Sequence, residues 1–519
     1  MPAWGIIELP ERKDTNDDNS SRPATKATLS RSLTPTSTLP ATFDIEHAPV
    51  ENDPRQWSRV RKNLSLLLIA SASMIAGLAA SIQNPAIREM ETELPATSGQ
   101  FSLSIALFIL LQGGMPLFWS AISEVEGRKL VYIASLFIFM VGSIIVAISS
   151  SIGLVIGFRC VQAIGSSAVI AIGAATLADI FEPAERGTKM GMYYMAPLLG
   201  PALGPIFGGV LTSGFNWRAI FWFLTIVSGT STVSFVLFFK DTFRRERSLV
   251  YQNALKKNAS QTEKSARQDS DPGKDAEKAV PAVTSAQEIR PSITDVNPIQ
   301  PICMVLRRKN NLVVLVASGL QFAFAFFIPY TSARTLSARY DYEALHIGLV
   351  TLCYGAGSIV GSLLGGRWSD YQLARLKVLN QGVSQPEMRL YSTVPGLILL
   401  PPFTVGFGWL CEKHAHVSAL CVFLFMCGFM AVWVYSSTLA YVVDANTGRS
   451  STATATNSAF RGLFAFIATE VAVPIQDNLG DGWTYTIWGG LLVLVGVLLV
   501  LVLKKGRNWR ETGEASERT

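Results

Sequence analysis

The sequence predicts an all-α integral membrane protein, with twelve transmembrane helices in two six-helix bundles related by a parallel pseudo-two-fold. Three observations carry this reading. Of 519 residues, 49% are hydrophobic and 16% charged, against roughly 25% charged in soluble domains, and mean hydropathy is +0.32. Twelve apolar runs approach the ~20 residues that cross a hydrocarbon core. A long polar stretch separates the first six runs from the last six. The same composition excludes an ordinary soluble enzyme, a disordered scaffold and a nucleic-acid-binding module. A net charge of +6, from 44 basic and 38 acidic residues, is spread too thinly to signal a polyanionic partner.

The elements follow in order. Residues 1–60 are polar throughout and read as a cytosolic disordered tail without a signal peptide. Spans 1–6 are expected at 63–86, 101–121, 130–149, 152–176, 188–212 and 217–239, within an N-terminal bundle of residues 61–240. Residues 241–309 form a cytosolic linker whose charge and low hydrophobicity predict disorder. Spans 7–12 are expected at 311–333, 345–366, 390–410, 416–441, 451–474 and 483–503, within a C-terminal bundle of residues 310–505. Residues 506–519 complete the chain as a cytosolic tail. Spans 5 and 11 are diluted by Gly, Pro, Ser and Thr, as in helices that face other helices. The short inner loops and C-terminal flank carry thirteen Lys and Arg, against four on the outer loops. Positive charge stays inside, so both termini are placed in the cytosol.

The two halves repeat weakly. The span 2–3 loop carries Ser120, Glu124, Gly127, Arg128 and Lys129; the span 8–9 loop carries Gly366, Asp370 and Arg375. Each has a small residue, an acid four positions later, then a base. Two halves of the same polarity are the parallel repeat of a transporter. An acid at one helix end and arginines on the next can form a latch that breaks once per cycle. The gating set is therefore Glu124, Gly127, Arg128, Lys129, Gly366 and Asp370.

Three spans carry polar or glycine patterns. In span 4, Arg159, Gln162 and Ser166 share a face at 100° per residue. An arginine at that depth costs about 2.5–3.5 kcal/mol unless it meets water or a partner. In span 5, Gly200, Gly204 and Gly208 recur at every fourth position, accompanied by Pro201, Pro205 and Gly209. The glycines permit close helix approach and the prolines bend the helix. A bent, close-packed helix between bundles suits a rocking interface. In span 11, Thr454, Asn457 and Arg461 form one polar stripe with the arginine near mid-span, the depth at which transporters bind substrate. Glu470 lies nine residues further on, about 180° around the helix, so it is not that arginine's partner.

These motifs resemble those of the major facilitator superfamily, in particular its twelve-span drug:proton antiporter family and the fungal branch of it. The resemblance covers residues 60–505. The loop SAISEVEGRK matches except that Glu124 replaces Asp and Val125 replaces a base. Span 4 matches except that Ala163 replaces Gly. Span 5 matches the antiporter motif throughout, and the span 11 stripe is similar to the Asn-x-x-x-Arg of fungal members. Trp217 and Arg218 resemble a motif at the start of span 6, read here as an outer-interface anchor. The resemblance implies the major facilitator fold, proton coupling through Arg159, and substrate binding by Arg461, Asn457, Thr454 and Gln162.

Span 1 holds no acid, and the clear mid-membrane charges are Arg159 and Arg461. The sequence thus favours an anionic or neutral substrate. The reading is a proton-coupled exporter of an organic acid or secondary metabolite, such as an itaconate- or citrate-like acid, working by alternating access. The alternatives are a multidrug or toxin efflux pump for neutral hydrophobic compounds and a non-transporting membrane sensor. The expected partners are a small-molecule substrate, protons and the lipid bilayer, with no nucleic acid, and the expected state is a monomer. The expected location is the cell membrane, with a vacuolar or other organelle membrane as the alternative. The six cysteines form no CxxC pair and read as core hydrophobes or isolated thiols. Absence of a P-loop, a nucleophile elbow or HExxH gives no sign of catalysis, cofactor or metal.

Overall fold

In the computed structural model, which describes residues 53–243, 299–383, 385–446 and 450–518, every regular element among those residues is a helix. Helices satisfy their own backbone groups, as hydrocarbon demands. The N-terminal half holds Arg59–Ser81 (span 1), Ser98–Gly114 continued as Pro116–Val125 (span 2), Arg128–Ala147 (span 3), Ile152–Ile180 (span 4), Pro183–Gly214 (span 5) and Arg218–Phe238 (span 6). The C-terminal half holds Lys309–Arg339 (span 7), Ala344–Leu379 (span 8), Val394–Glu412 (span 9) and Val417–Asp444 (span 10). A final helix, Ser450–Arg518, breaks at Gly480, where φ is 75°. Eleven segments among the described residues are thus long and apolar enough to cross a membrane. The last of them supplies spans 11 and 12 on either side of that break. Most of the tail and linker expected from the sequence lies outside the described residues. At the linker's end, Ile299–Arg307 is a short helix.

Local chemistry sets several boundaries. Thr97 and Gln100 form a reciprocal capping box that starts span 2. Pro116 interrupts that span one residue past its first segment. Gly127 takes φ 91° between spans 2 and 3, a conformation open to glycine at little steric cost.

Packing obeys the repeat. Span 1 lies on span 5, and span 7 on span 11; spans 2 and 4 pair, as do 8 and 10; spans 3 and 6 pair, as do 9 and 12. Between the halves, span 5 meets span 8 and span 2 meets span 11. Each contact recurs after a shift of six spans. Sequence similarity between the halves is confined to a few loop residues, yet the architecture repeats throughout.

We call the membrane face where span 1 begins the near side and the opposite face the far side. On the far side one apolar core runs through both halves, joining Phe108, Trp217 and Phe221 to Phe324, Phe327 and Trp488. On the near side each half has its own core, one around Leu136, Ile172 and Phe235, the other around Val314, Tyr441 and Leu499. Polar contacts agree. Ser102 donates to the Thr469 carbonyl at 2.7 Å, and Arg88 pairs with Asp341 at 2.8 Å and donates to the Ser337 carbonyl at 3.3 Å. All three bonds join the halves on the far side; among the described residues none does so on the near side. The halves are closed at the far side in this conformation.

Candidate functional site

Two buried polar centres lie within the spans, one in each half. In the N-terminal half, Arg159 and Gln162 are both 0% exposed. Arg159 Nη1 donates to the Ala79 carbonyl at 3.0 Å and to Gln162 Oε1 at 3.1 Å. Its guanidinium sits 4.0 Å over the Phe108 ring. Its Nε and Nη2 have no partner in the protein. Spans 1, 2 and 4 thus surround a full charge with a carbonyl, an amide and a ring, but no carboxylate. The sequence reading puts Gln162 with the substrate-binding residues. In this conformation Gln162 Nε2 donates to Ser143 Oγ at 2.7 Å, so both ends of its amide are engaged inside the bundle. It positions Arg159 against span 3. Gln112, which the sequence reading passed over in an apolar run, donates to the Ala76 carbonyl and Ser166 Oγ, both at 3.1 Å. It ties spans 1, 2 and 4 one turn from that cluster.

In the C-terminal half the span 11 stripe is intact. Arg461 Nη1 donates to the Tyr435 hydroxyl at 2.6 Å. The guanidinium lies 3.7 Å from the Phe322 ring centre and 4.7 Å from that of Tyr435. Two aromatic side chains, from spans 7 and 10, therefore frame it. Its Nε is buried without a partner. One turn away, Asn457 is 0% exposed and neither amide atom has a partner. Thr454, a further turn away, is partly buried, and its carbonyl accepts from Ser458. Unpartnered buried polar atoms are uncommon because each loses its hydration. Here two donors, Arg461 Nε and Asn457 Nδ2, and one acceptor, Asn457 Oδ1, stand one helical turn apart at the depth of a transport site.

The gating residues gather differently from the expectation. Glu124 makes no ion pair with Arg128 among the described residues. Arg128 instead pairs with Asp179 at the end of span 4, at 3.4 Å, and donates to Ser123. Its backbone N–H donates to Asp241, after span 6, at 3.1 Å. A Cβ on Gly127 would collide with that same Asp241 carboxylate. Lys129 donates to the Val236 carbonyl at 3.0 Å. In the other half Asp370 pairs with Arg389 at 3.1 Å, and Arg389 also pairs with Asp444 at the end of span 10. The two clamps are equivalent by the six-span shift. An arginine at the start of span 3, or in the turn Pro386–Thr393 that leads into span 9, grips the acid closing span 4 or 10. The acids Asp179 and Asp444 carry a sequence signal that the loop motif alone hides: each closes an apolar run one span beyond its arginine. Gly366 is not a packing position, since a Cβ there meets nothing within 4 Å. Gly357, Gly361 and Gly365 are the ones that let span 8 lie against span 10.

Span 5 shows two faces. A Cβ at Gly200 would lie 2.6 Å from the Leu78 nitrogen, and ones at Gly204 and Gly208 would strike Ser81 and Ile82. The glycine row therefore faces span 1 inside its own half, not the opposite bundle. The inter-bundle face carries Ala202, Pro205 and Gly209, against Gly355, Gly348 and Ala344 of span 8. Pro201 and Pro205 lie inside the helix. Pro201 is on the span 1 side, beside Gly77. Trp217 also departs from expectation. It is 0% exposed, its backbone N–H donates to Glu89 at 3.1 Å and its indole to Glu93. It pins the short helix Ile87–Glu93 and is no lipid-interface anchor.

A pattern for the Major Facilitator Superfamily matches residues 69–469. The chain belongs to this superfamily. It is 28% identical to the MFS antiporter QDR3 of Candida albicans, over 89% of this chain and 80% of that one. It is 30% identical to the MFS-type transporter R5 of a Phoma species, over 86% of each. It is 25% identical to Citrate exporter 1 of Aspergillus niger, over 92% and 91%. The crystal structure of the human organic anion transporter MFSD10 (TETRAN) has the same fold, with a TM-score of 0.54 and 18% identity, covering 84% of this chain and 99% of that one. Superfamily membership makes the chain a multi-pass membrane protein and a secondary transporter. Buried polar centres inside two halves that share a core on one side alone are features that alternating access requires.

Proposed function

We propose that this transporter is a proton-coupled exporter of an organic acid, with Arg461 and Asn457 as the substrate-binding pair. The observation that carries the reading is the set of unpartnered atoms on span 11. A carboxylate can accept from Arg461 Nε and Asn457 Nδ2 together, and a hydroxyl on the same ligand can donate to Asn457 Oδ1. A hydroxy acid or polycarboxylate satisfies all three. Arginine suits carboxylates through its planar fork. Arg159 belongs to the coupling step, because it is a cation held without a carboxylate at the centre of the N-terminal half. Both termini face the cytosol by the distribution of positive charge, so the near side is the inner side and this conformation faces inward. The working unit is a monomer in a fungal plasma membrane.

A second reading is export of neutral hydrophobic compounds. Phe322 and Tyr435, which frame Arg461, favour it, since flat aromatic surfaces bind apolar ligands as readily as they cover a guanidinium. Efflux from energised vesicles separates the two. Labelled citrate and itaconate should leave in response to an inward proton gradient under the first reading. Under the second, only a neutral toxin leaves, and the acids stay.

A further inference from the structure

The far side is rich in charge, and each arginine described there has a carboxylate partner. Arg88 pairs with Asp341 and Arg218 with Glu93. Arg334 pairs with Asp477 at 2.7 Å, and Arg339 with both Glu412 and Asp481, at 3.2 and 3.3 Å. Among the described acids of this region that make no ion pair, one has a buried oxygen without a partner. Glu470 on span 11 is partly buried, its Oε1 is buried with no partner, and it makes no ion pair among the described residues. It lies nine residues from Arg461, about 13 Å along the helix at 1.5 Å per residue, so it is still within the hydrocarbon depth. An acid at this depth without a cation is rare and marks a functional position in membrane proteins.

Its location makes that role specific. The adjacent residue, Thr469, accepts the 2.7 Å hydrogen bond from Ser102 that joins spans 2 and 11. Gly113 and Gly462 bring the same two spans together closer to mid-membrane. The groups around Glu470 are the buried Tyr330 phenol of span 7, Glu91 of the short outer helix and Arg334. Glu470, Glu91 and Arg334 all lie close enough to act electrostatically on the Tyr330 phenol, and Arg334 is already held by Asp477 and Gln476. No free cation on these elements can neutralise Glu470 when the seam closes.

We propose that Glu470 carries the coupled proton of the antiport cycle. This rests on the proton-antiport reading above. When spans 2 and 11 part, far-side water hydrates the carboxylate and gives it a proton; an O–H bond forms and the negative charge is lost. The neutral acid then fits the apolar seam, and the far side closes. Later in the cycle the O–H bond breaks and the proton passes to water on the near side. Ionised Glu470 opposes closure and protonated Glu470 permits it, so return to this conformation brings in one proton.

Two measurements test this. The first uses purified full-length protein in liposomes with labelled citrate as the probe. Parent protein should concentrate citrate under a pH gradient. Glu470→Gln, which mimics the neutral acid, should lose at least tenfold of that concentration yet keep gradient-free citrate exchange within about twofold. Glu470→Asp should recover part of the response. If the parent responds to the gradient and Glu470→Gln responds equally, Glu470 is not the carrier. If the parent ignores the gradient while exchanging citrate, the antiport reading fails and takes this inference with it. The second needs no substrate. A hydrophobic carbodiimide reacts with protonated carboxyls in apolar surroundings. Mass spectrometry should find it on Glu470, with modification falling as pH rises. An unmodified Glu470 at neutral pH overturns the proposal.

Discussion

Arg461 lies against the Phe322 and Tyr435 rings and keeps an unpartnered Nε, and a substitution can separate those features. Lysine keeps the charge and can still sit near Phe322 and Tyr435. It cannot present two parallel N–H groups. A hydrogen bond to a charged group contributes about 1.5–3 kcal/mol, roughly tenfold to hundredfold in affinity. Arg461→Lys should therefore raise the half-saturating concentration for an exported acid about tenfold, and Arg461→Ala about a hundredfold. Concentration-dependent efflux of citrate and itaconate measures both; normal export by Arg461→Ala would remove the anion-binding role. A second residue-scale contrast concerns the near-side clamp. Arg128 is buried and its ion-pair partner is Asp179, so Asp179→Asn should destabilise the N-terminal half by about 1–3 kcal/mol. Glu124→Gln should change thermal stability by less, about 0–1 kcal/mol, because Glu124 acts on Arg128 through space without pairing with it. Melting in detergent compares the two. The sequence alone exposed the arginine and asparagine of span 11 because helical periodicity lines them up. It could not expose Phe322 and Tyr435, which reach the site from spans 7 and 10, nor Asp179 as the ion-pair partner of Arg128. A neighbour in sequence competes with one brought in by folding, and the motif names only the first.

At the scale of the element, span 5 was legible as a close-packing helix but not as one with two distinct faces. Glycines four apart must share a side, yet nothing in their spacing says which helix lies there. The structure puts Gly200, Gly204 and Gly208 against span 1, and Gly209 against span 8. The faces do different work. The first is fixed within a half; the second lies where the halves must move. Gly200→Leu should overpack a permanent contact, at a cost of about 1–3 kcal/mol, and lower the melting temperature. Gly209→Leu should leave melting nearer to the parent while reducing transport, because it wedges a moving seam. Equal melting losses in the two variants would mean that both contacts are permanent. The clamps and packing pairs repeat after six spans, but the two buried arginines Arg159 and Arg461 do not. Arg159 on span 4 corresponds to span 10, and Arg461 on span 11 to span 5. Neither arginine is a product of the repeat, so each half contributes its own chemistry to a shared scaffold.

The whole molecule is held in one conformation by an asymmetry between its two sides. A single apolar core crosses both halves on the far side, whereas each half is separately cored on the near side. Burying apolar surface across the far-side seam, at about 25 cal/mol per Å², favours this state. The three polar bonds of Arg88 and Ser102 add register more than energy, since an exposed pair such as Arg88–Asp341 contributes about 0–1 kcal/mol. Alternating access requires that core to part. A covalent tie across it should therefore stop transport without touching either polar centre. Cysteines at positions 88 and 341, introduced as Arg88→Cys and Asp341→Cys in a background free of the six native cysteines, can be joined by a short thiol-reactive cross-linker. Cross-linked protein should lose efflux, and reduction of a cleavable linker should restore it to the level of the untreated double variant. Glu470 should meanwhile stay sealed in the seam, so its reaction with water-soluble carboxyl reagents from the far side should fall when the tie is present. Undiminished efflux through the cross-linked form would mean that the far side need not open, and the seam between spans 2 and 11 would then be a fixed part of the scaffold.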